Sequence, residues 1–281
     1  MPMSPRLLRP RASGTAVHPE VVDWAARVTT NGGSVSTNTL AAASAFCASI
    51  DAAGIRDRFA RLNLFCGSNL AACRTPLYRA TSLAGTQLGN TIDTNVGPFV
   101  DADYVETGGS GGLKGNGSGK YLSTGLLVGG AMPAGIGHMS VYAASAQSAG
   151  SGNFRYQLGA GGQIYLFARD GGTTAGLAWV SGPAAVFTSV ADITGHLVGT
   201  NNASNAREYF RNGTSIGSNS ATTSAPSSAS EFMVFGRSNQ ANVLFDGRMA
   251  AYSIGEPMTA SQATAYYTAM QAFQTALGRN V

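Results

Sequence analysis

Residues 111–125 read GGLKGNGSGKYLSTG, a run in which Gly, Asn and Ser surround one short apolar strand at 120–122. Further along the chain, residues 208–216 read EYFRNGTSI, which is a strand, an Asn-Gly turn and the start of a return strand. Asn-Gly favours the type I′ hairpin turn, because that turn needs a positive φ at both central residues. This pattern of turn residues between short apolar stretches predicts an antiparallel sheet built from short strands.

Short strand patterns alternate with turn-rich segments from about residue 80 onward. The predicted strands are at 121–123, 139–144, 154–158, 163–168, 177–180, 196–200, 208–211, 232–235 and 248–254. Such spacing is typical of a β-sandwich or jelly roll and argues against a parallel α/β sheet. The predicted fold class is therefore mainly β, a two-sheet jelly-roll sandwich with N-terminal helices and a C-terminal helix.

Helical patterns flank the β region. Residues 18–31 are predicted to form a short helix with Pro19 in its first turn. Residues 37–53 are predicted to form a longer helix that ends at Gly54, and a strand is predicted at 61–65.

A third helix is predicted at 259–277, where Thr259 and Gln262 form a capping-box pattern. Its apolar residues recur at spacings of three and four, which places them on one face: Ala263, Tyr266, Met270, Phe273 and Leu277. This face is predicted to pack against the sandwich.

The composition indicates a protein that works in an assembly. Only 11% of the 281 residues are charged, whereas soluble domains average about 25%, and 37 residues are glycine. Ser, Thr, Asn and Gly must therefore cover much of the surface, and such a surface resists association poorly. The predicted organisation is an extended anchoring arm at 1–17, a small helical region at 18–80 and the jelly-roll sandwich with its C-terminal helix at 81–281.

Positive charge is concentrated near the N-terminus, because residues 1–80 contain nine arginines and four acidic residues. A nucleic-acid interface would need a basic stripe on the folded body, so docking of the arm on a neighbouring protein is the favoured interpretation. The predicted anchoring residues are Arg6, Leu7, Leu8, Arg9 and Arg11. Neither a secretory signal nor a membrane span is visible in the sequence.

The cysteines and histidines follow no metal-ligand spacing, and neither a metal site nor a cofactor is predicted. Cys47 falls in a helical pattern and is predicted to be a buried apolar residue, whereas a bridge between Cys66 and Cys73 is left open. His18, His138 and His196 are scattered along the chain, and no nucleophile elbow surrounds any serine.

The glycine-rich run also invites comparison with a phosphate-binding loop. That loop needs Gly-Lys followed by Ser or Thr, whereas Tyr121 follows Gly119 and Lys120 here, and Lys114 stands where the first glycine should be. The run is therefore interpreted as a β-turn.

Asp101, Asp103 and Glu106 invite comparison with sandwich glucanases, which place three acidic groups on one face of a strand. Asp101 stands where the nucleophilic Glu should be, and Pro98 and Gly108 flank the segment as they would a loop. No catalytic residue is predicted, and a hydrolase is kept as an alternative.

Aromatic residues of the β region are the remaining candidates for ligand contact. An exposed Tyr or Trp stacks on sugar rings, whereas most aromatic residues of a sandwich fill its core. The candidates are Tyr156, Tyr165, Phe167, Trp179 and Tyr209. The ligand-binding residues stay unknown at this stage.

The β region resembles the concanavalin A-like, laminin-G-like jelly-roll superfamily. The resemblance is carried by residues 111–125, by the hairpin at 208–216 and by the late strand FDGRMA at 245–250. It implies a concanavalin A-like two-sheet sandwich. Calcium sites known in some of these domains are not carried over, because no matching acidic cluster is present.

The whole layout resembles a group of tailed-bacteriophage and prophage structural proteins. The matching pieces are RLNLFCG at 61–67, Asp103 with Tyr104, and GLKGNGSGKYL at 112–122. This resemblance implies a virion component such as a tail fibre, collar, capsid decoration or adhesion protein.

The expected function is thus that of a non-enzymatic virion structural protein, fixed to other virion proteins through its arm. A homo-oligomer is expected, with a trimer favoured by family analogy. A lectin-like module that recognises a host surface glycan is the first alternative, and a sandwich-type polysaccharide hydrolase is the second.

Overall fold

A computed structural model describes residues 16–81, 85–146, 154–161, 164–169, 174–179, 186–189, 193–222, 225–237 and 244–281. Five α-helices lie in these ranges: α1 (Pro19–Thr30), α2 (Thr37–Ala52), α3 (Leu70–Cys73), α4 (Val128–Ala131) and α5 (Ala260–Ala276). Short 3₁₀ helices lie at Arg56–Arg58, Asp101–Asp103 and Pro133–Gly135. Within the described ranges, none of the helices combines the length and apolarity needed to cross a bilayer.

Sixteen strands are described. They are β1 (Phe59–Asn63), β2 (Tyr78–Arg79), β3 (Thr94–Val96), β4 (Tyr104–Val105), β5 (Gly112–Lys114), β6 (Tyr121–Leu127), β7 (Gly137–Ser145), β8 (Phe154–Ala160), β9 (Ile164–Arg169), β10 (Thr174–Trp179), β11 (Val186–Ser189), β12 (Gly195–Ala203), β13 (Ala206–Arg211), β14 (Thr214–Asn219), β15 (Glu231–Val234) and β16 (Arg248–Gly255).

The strands form two antiparallel sheets. The larger sheet runs β14-β13-β12-β7-β16-β1-β2, with β5 beside β16 and β4 beside β5, and the second runs β11-β10-β9-β8-β15-β6-β3. The prediction of a mainly β, two-sheet sandwich with N-terminal helices and a C-terminal helix is confirmed. The division of the chain at residue 80 stays a prediction; β1 and β2, which precede it, pair within the larger sheet.

Two apolar layers hold the molecule together. One lies between the sheets and includes Leu122, Leu158 and Leu197. The other lies between the helices and the outer face of the larger sheet, where the rings of Phe46 and Phe273 are 6.0 Å apart. The predicted apolar stripe of the last helix is buried in this second layer, as proposed from its spacing.

Capping explains where the helices begin. The Ser36 side chain accepts the Thr39 N–H at the start of α2, and Thr259 and Gln262 form the predicted capping box at the start of α5. The strand predicted at 61–65 lies two residues earlier, at Phe59–Asn63. The chain leaves the sheet there because Asn63 Oδ1 accepts the Phe65 N–H and Phe65 adopts a φ of 42°.

The Asn212-Gly213 turn is confirmed, with φ values of 49° and 74° that suit a type I′ hairpin between β13 and β14. The Asn212 side chain accepts the His196 N–H at 2.8 Å, and the Gly213 carbonyl accepts the Thr264 hydroxyl at 2.9 Å. The turn is thereby fixed to β12 on one side and to α5 on the other.

All three cysteines are buried and carry free thiols. Cys47 lies in the layer between helices and sheet, as predicted. The bridge that the sequence left open between Cys66 and Cys73 is not formed, and burial raises the pKa of the Cys66 thiol to about 12.

Candidate functional site

A pocket of about 320 Å³ lies at one rim of the sandwich, where β12 and β14 end and β13 begins. We call it the rim pocket. Seven of its eight lining residues are polar, and the full lining is Asn202, Asn205, Ala206, Arg207, Glu208, Ser218, Asn219 and Ser220.

Strand register brings these residues together. Arg207 of β13 pairs with Asn219 of β14, and Glu208 pairs with Ser218. On the other side a bulge in β12 precedes the tight turn that Ala203 and Ala206 close. The rim pocket therefore combines side chains from both faces of the sheet with those of the turn.

Arg207 forms a rigid wall of the rim pocket, because only 1% of its surface is exposed. Its guanidinium donates to the Ser204 carbonyl at 3.1 Å and to the Ala221 carbonyl. The Ala221 N–H in turn donates to Asn219 Oδ1 at 2.7 Å. Burial lowers the pKa of Arg207, which stays far above neutrality as for any guanidinium.

Three side chains of the rim pocket are available to a ligand. Asn202 and Asn205 are exposed and Glu208 is half-buried, and none of the three makes a side-chain hydrogen bond within the described part of the chain. Amides supply both donors and acceptors, whereas an ionised carboxylate only accepts. Together they suit a ligand rich in hydroxyl groups.

The acidic triplet does not form a catalytic face. Asp101 and Asp103 lie in a 3₁₀ helix, so the strand alternation of the glucanase arrangement does not apply to them. Asp101 accepts the Leu70 N–H, and Asp103 pairs with the Lys120 ammonium at 2.5 Å. Glu106 accepts the Thr39 hydroxyl at 2.8 Å and the Gly67 N–H at 2.7 Å. Each carboxylate thus fixes a loop.

The glycine-rich run is a turn organised by its own asparagine. Asn116 Oδ1 accepts the backbone N–H groups of Ser118, Gly119 and Lys120 at 3.0–3.1 Å. Because the amides that a phosphate would need point at this oxygen, the loop lacks the donor cradle of a phosphate site.

Two of the three histidines are buried between the larger sheet and α5. His138 contacts the Ser253 hydroxyl at 2.8 Å and the Glu256 carbonyl at 2.6 Å, and burial lowers its pKa to about 4. Burial, followed by the nearby His138, lowers the pKa of His196 to about 3. Neither ring has exposed surface, so these histidines have no route to a substrate. His18 is distant in sequence from both of them and lies at the start of α1.

The described aromatic candidates are buried or half-buried. Tyr209 lies in the inter-sheet layer, and Tyr156 and Phe167 are buried. Tyr165 is half-buried, with the Arg237 guanidinium 4.7 Å from its ring centroid. The Trp179 side chain lies outside the part that the structure describes.

The predicted anchoring residues Arg6, Leu7, Leu8, Arg9 and Arg11 also lie outside the described residues, so their role stays a prediction. The rim pocket was missed because its residues come from two stretches, 202–208 and 218–220, that only the pairing of β13 with β14 brings together. The one available signal is the cluster of Asn201, Asn202 and Asn205 in a short stretch before the hairpin.

No protein-family model matches the chain, and no curated protein matches it. Among solved structures, it is similar to the CBM40 domain of the Ruminococcus gnavus IT-sialidase bound to α2,3-sialyllactose, with 12% identity, a TM-score of 0.36, and coverage of 46% of this chain and 79% of that one. A Trypanosoma rangeli sialidase mutant with trans-sialidase activity gives 15% identity, a TM-score of 0.49, and coverage of 90% of this chain and 38% of that one.

Domain 4 of an extracellular arabinanase from Geobacillus stearothermophilus, in complex with arabinotriose, gives 17% identity, a TM-score of 0.38, and coverage of 55% of this chain and 75% of that one. For the Trypanosoma rangeli sialidase mutant, the overlap spans well under half of the sialidase's own length. Overlaps this loose assign neither a ligand nor an activity.

Proposed function

We propose that this chain is a non-enzymatic carbohydrate-binding module that takes a neutral, hydroxyl-rich sugar in the rim pocket. The observation that carries the proposal is the free polar set of Asn202, Asn205 and Glu208 beside a buried guanidinium fixed by backbone carbonyls. The buried Arg207 is a preorganised part of the rim pocket, because its side chain is already ordered before a ligand binds. The exposed amides of Asn202 and Asn205 are free to adapt to the ligand.

Pocket size and charge define the class of ligand. A volume of about 320 Å³ is near the lower end of the usual range of ligand pockets, about 300–1,000 Å³, so a single terminal sugar unit is expected rather than an extended chain. Glu208 lines the rim pocket, whereas Nη1 and Nη2 of Arg207 donate to backbone carbonyls. A neutral sugar is therefore expected to bind better than an acidic one.

The test is a glycan array that carries neutral and sialylated oligosaccharides, followed by calorimetry with the best neutral glycan. Hydrogen bonds to a charged group contribute about 1.5–3 kcal/mol and neutral ones about 1 kcal/mol. Glu208→Gln is therefore expected to weaken binding by about tenfold or more, and Asn205→Ala by about fivefold.

Asn280→Ala is the matched control, because it removes an exposed amide beyond the last helix. Equal losses in Asn205→Ala and Asn280→Ala, or an array without neutral hits, would contradict the proposal.

The absence of turnover is part of the proposal. Incubation with the bound glycan or with a β-glucan is expected to leave the concentration of reducing ends unchanged. Release of reducing sugar that disappears in Asp103→Asn or Glu106→Gln would favour the hydrolase alternative instead.

A further inference from the structure

Three metal-ligating side chains of different chemistry meet where the first two helices touch. His18 precedes α1, Glu20 lies in its first turn, and Cys47 comes from α2. Each offers one ligand atom, and the three atoms lie within 4.8 Å of one another. This His-Glu-Cys cluster is separate from the rim pocket.

His18 is held by both ring nitrogens. Its Nε2 contacts Asp51 Oδ2 at 3.0 Å, and its Nδ1 accepts the Glu20 N–H at 3.3 Å, which is a long hydrogen bond. A carboxylate on Nε2 fixes the tautomer and makes Nδ1 a better donor to a metal. A metal bound at Nδ1 would replace the long hydrogen bond from the Glu20 N–H. Asp51 lies one helical turn after Cys47, so α2 supplies both a ligand and the group that orients His18.

Glu20 has one oxygen to spare. Its Oε1 accepts the Arg56 Nε–H at 2.5 Å, and the Arg56 guanidinium lies 3.8 Å from the Tyr78 ring centroid. The other oxygen, Oε2, is buried and finds no hydrogen-bond partner within the described part of the chain. A buried carboxylate oxygen without a partner is costly, and a bound cation would satisfy it.

Cys47 is fully buried in the layer between the helices and the larger sheet. The charged or titratable side chains near it are Tyr78, Glu20, Asp51 and Arg56. A coordinating thiol is deprotonated, so a bound divalent cation would hold Cys47 as a thiolate.

We propose that His18, Glu20 and Cys47 bind one Zn²⁺ ion. Asp51 orients His18 and Arg56 orients Glu20 through their side-chain hydrogen bonds. Imidazole, thiolate and carboxylate are the ligands that zinc takes in proteins. A thiolate and a carboxylate neutralise the two charges of the ion, and the charges of Asp51 and Arg56 cancel. The thiol proton passes to solvent when the sulfur–zinc bond forms.

The geometry requires a modest contraction. With zinc–ligand bonds of about 2.0–2.3 Å, the ligand atoms of a tetrahedral site are closer together than 4.8 Å. His18 and Glu20 are both half-buried and supply the movement by side-chain rotation. Of the three ligands, His18 also lines a cavity of about 540 Å³ between the start of α1 and the face of α2.

The test uses Co²⁺, a spectroscopic substitute for zinc, titrated into the full-length protein with the metal alone as probe. We expect saturable binding of one ion with visible ligand-field bands and a near-ultraviolet thiolate-to-cobalt band, and displacement of Co²⁺ by Zn²⁺. Asp51→Asn is expected to weaken binding by about 10–100-fold and to leave the thiolate band in place at saturation.

Cys47→Ala should abolish the thiolate band. Cys66→Ala and Cys73→Ala are matched controls, because each removes another buried thiol and should leave the band unchanged. Glu20→Gln tests the site without touching a core residue, and circular dichroism checks that each variant is folded. Absence of binding in the wild type, or a thiolate band that survives in folded Cys47→Ala, would overturn the proposal.

Discussion

Arg61 of β1 and Asp93 form an ion pair with a 2.6 Å separation between Nη2 and Oδ1, and neither side chain has any exposed surface. The Tyr252 hydroxyl accepts from Arg61 Nε and donates to Asp93, and the Asn63 amide donates to Asp93 Oδ2 at 2.9 Å. The pair thereby ties two neighbouring strands of the larger sheet to the segment before β3.

Removing one partner of this pair is expected to be severe. Asp93→Asn leaves the Arg61 guanidinium buried without its counter-charge, so the free energy of unfolding should fall by about 3–5 kcal/mol. Urea denaturation measures the change. The control is Arg58→Ala, which breaks the Asp57–Arg58 pair at a site where 65% of the Asp57 side chain is exposed and should cost less than about 1 kcal/mol. Similar losses in both variants would mean that the Arg61–Asp93 pair contributes no more than a surface contact.

Stability is expected to fall in mild acid because of His138 and His196. Burial holds their pKa values at about 4 and about 3, below the value of about 6.5 in an unfolded chain. Below pH 6.5 the unfolded state therefore binds more protons than the folded state, and stability decreases as the pH falls.

The slope should reach at most about 1.4 kcal/mol per pH unit for each histidine, and it is read most cleanly between about pH 6.5 and 5, before carboxylates titrate. His196→Phe keeps a ring in the same layer and should flatten the profile measured by urea denaturation. A profile identical to that of the wild type would contradict this account.

The hairpin turn offers a matched pair of glycine substitutions. Gly213 has a φ of +74°, and a Cβ there would lie 3.1 Å from the Tyr267 ring and 3.2 Å from the Thr264 Cα. Gly54 has a φ of +63° with nothing within 4 Å of an added Cβ. Both Ala variants incur backbone strain of about 1–2 kcal/mol, whereas only Gly213→Ala also crowds α5, at about 1–3 kcal/mol more. Equal shifts in the denaturation midpoint would show that the turn does not pack tightly on α5.

The virion role stays a prediction, and the arm provides its test. Deletion of residues 1–15 removes Leu7, Leu8 and the three neighbouring arginines, and it keeps every residue that the structure describes in the two apolar layers. The truncated chain is expected to be folded and soluble but to lose incorporation into particles, measured by co-sedimentation from an infected or induced culture. Normal incorporation, or failure to fold, would remove the arm as the anchor.

Local signals account for the parts of the fold that the sequence predicted. The capping box at Thr259 and Gln262 and the Asn212-Gly213 turn are set by neighbours in the chain, and both occur where expected. By contrast, the position of β1 depends on pairing with β16, about 190 residues later. The local sequence around β1 does not indicate which strand it will pair with.

The candidate sites show the same limit. Asp101, Asp103 and Glu106 are close in sequence, and their spacing suggested a catalytic triplet. In the structure each carboxylate fixes a loop. The rim pocket depends on the register between β13 and β14 and on a bulge in β12, and both are set by strand pairing rather than by a local pattern. The His-Glu-Cys cluster likewise needs α1 packed on α2 before its spacing has any meaning.

The most direct test of carbohydrate binding follows the side-chain amide resonances of the protein by nuclear magnetic resonance during titration with the best neutral glycan. We expect saturable shifts in the side-chain amides of Asn202 and Asn205, with those of Asn38 and Asn280 unchanged. In Glu208→Gln the same shifts should need about tenfold more glycan. Saturable shifts confined to residues outside the rim pocket, or no shifts at millimolar glycan, would contradict the account.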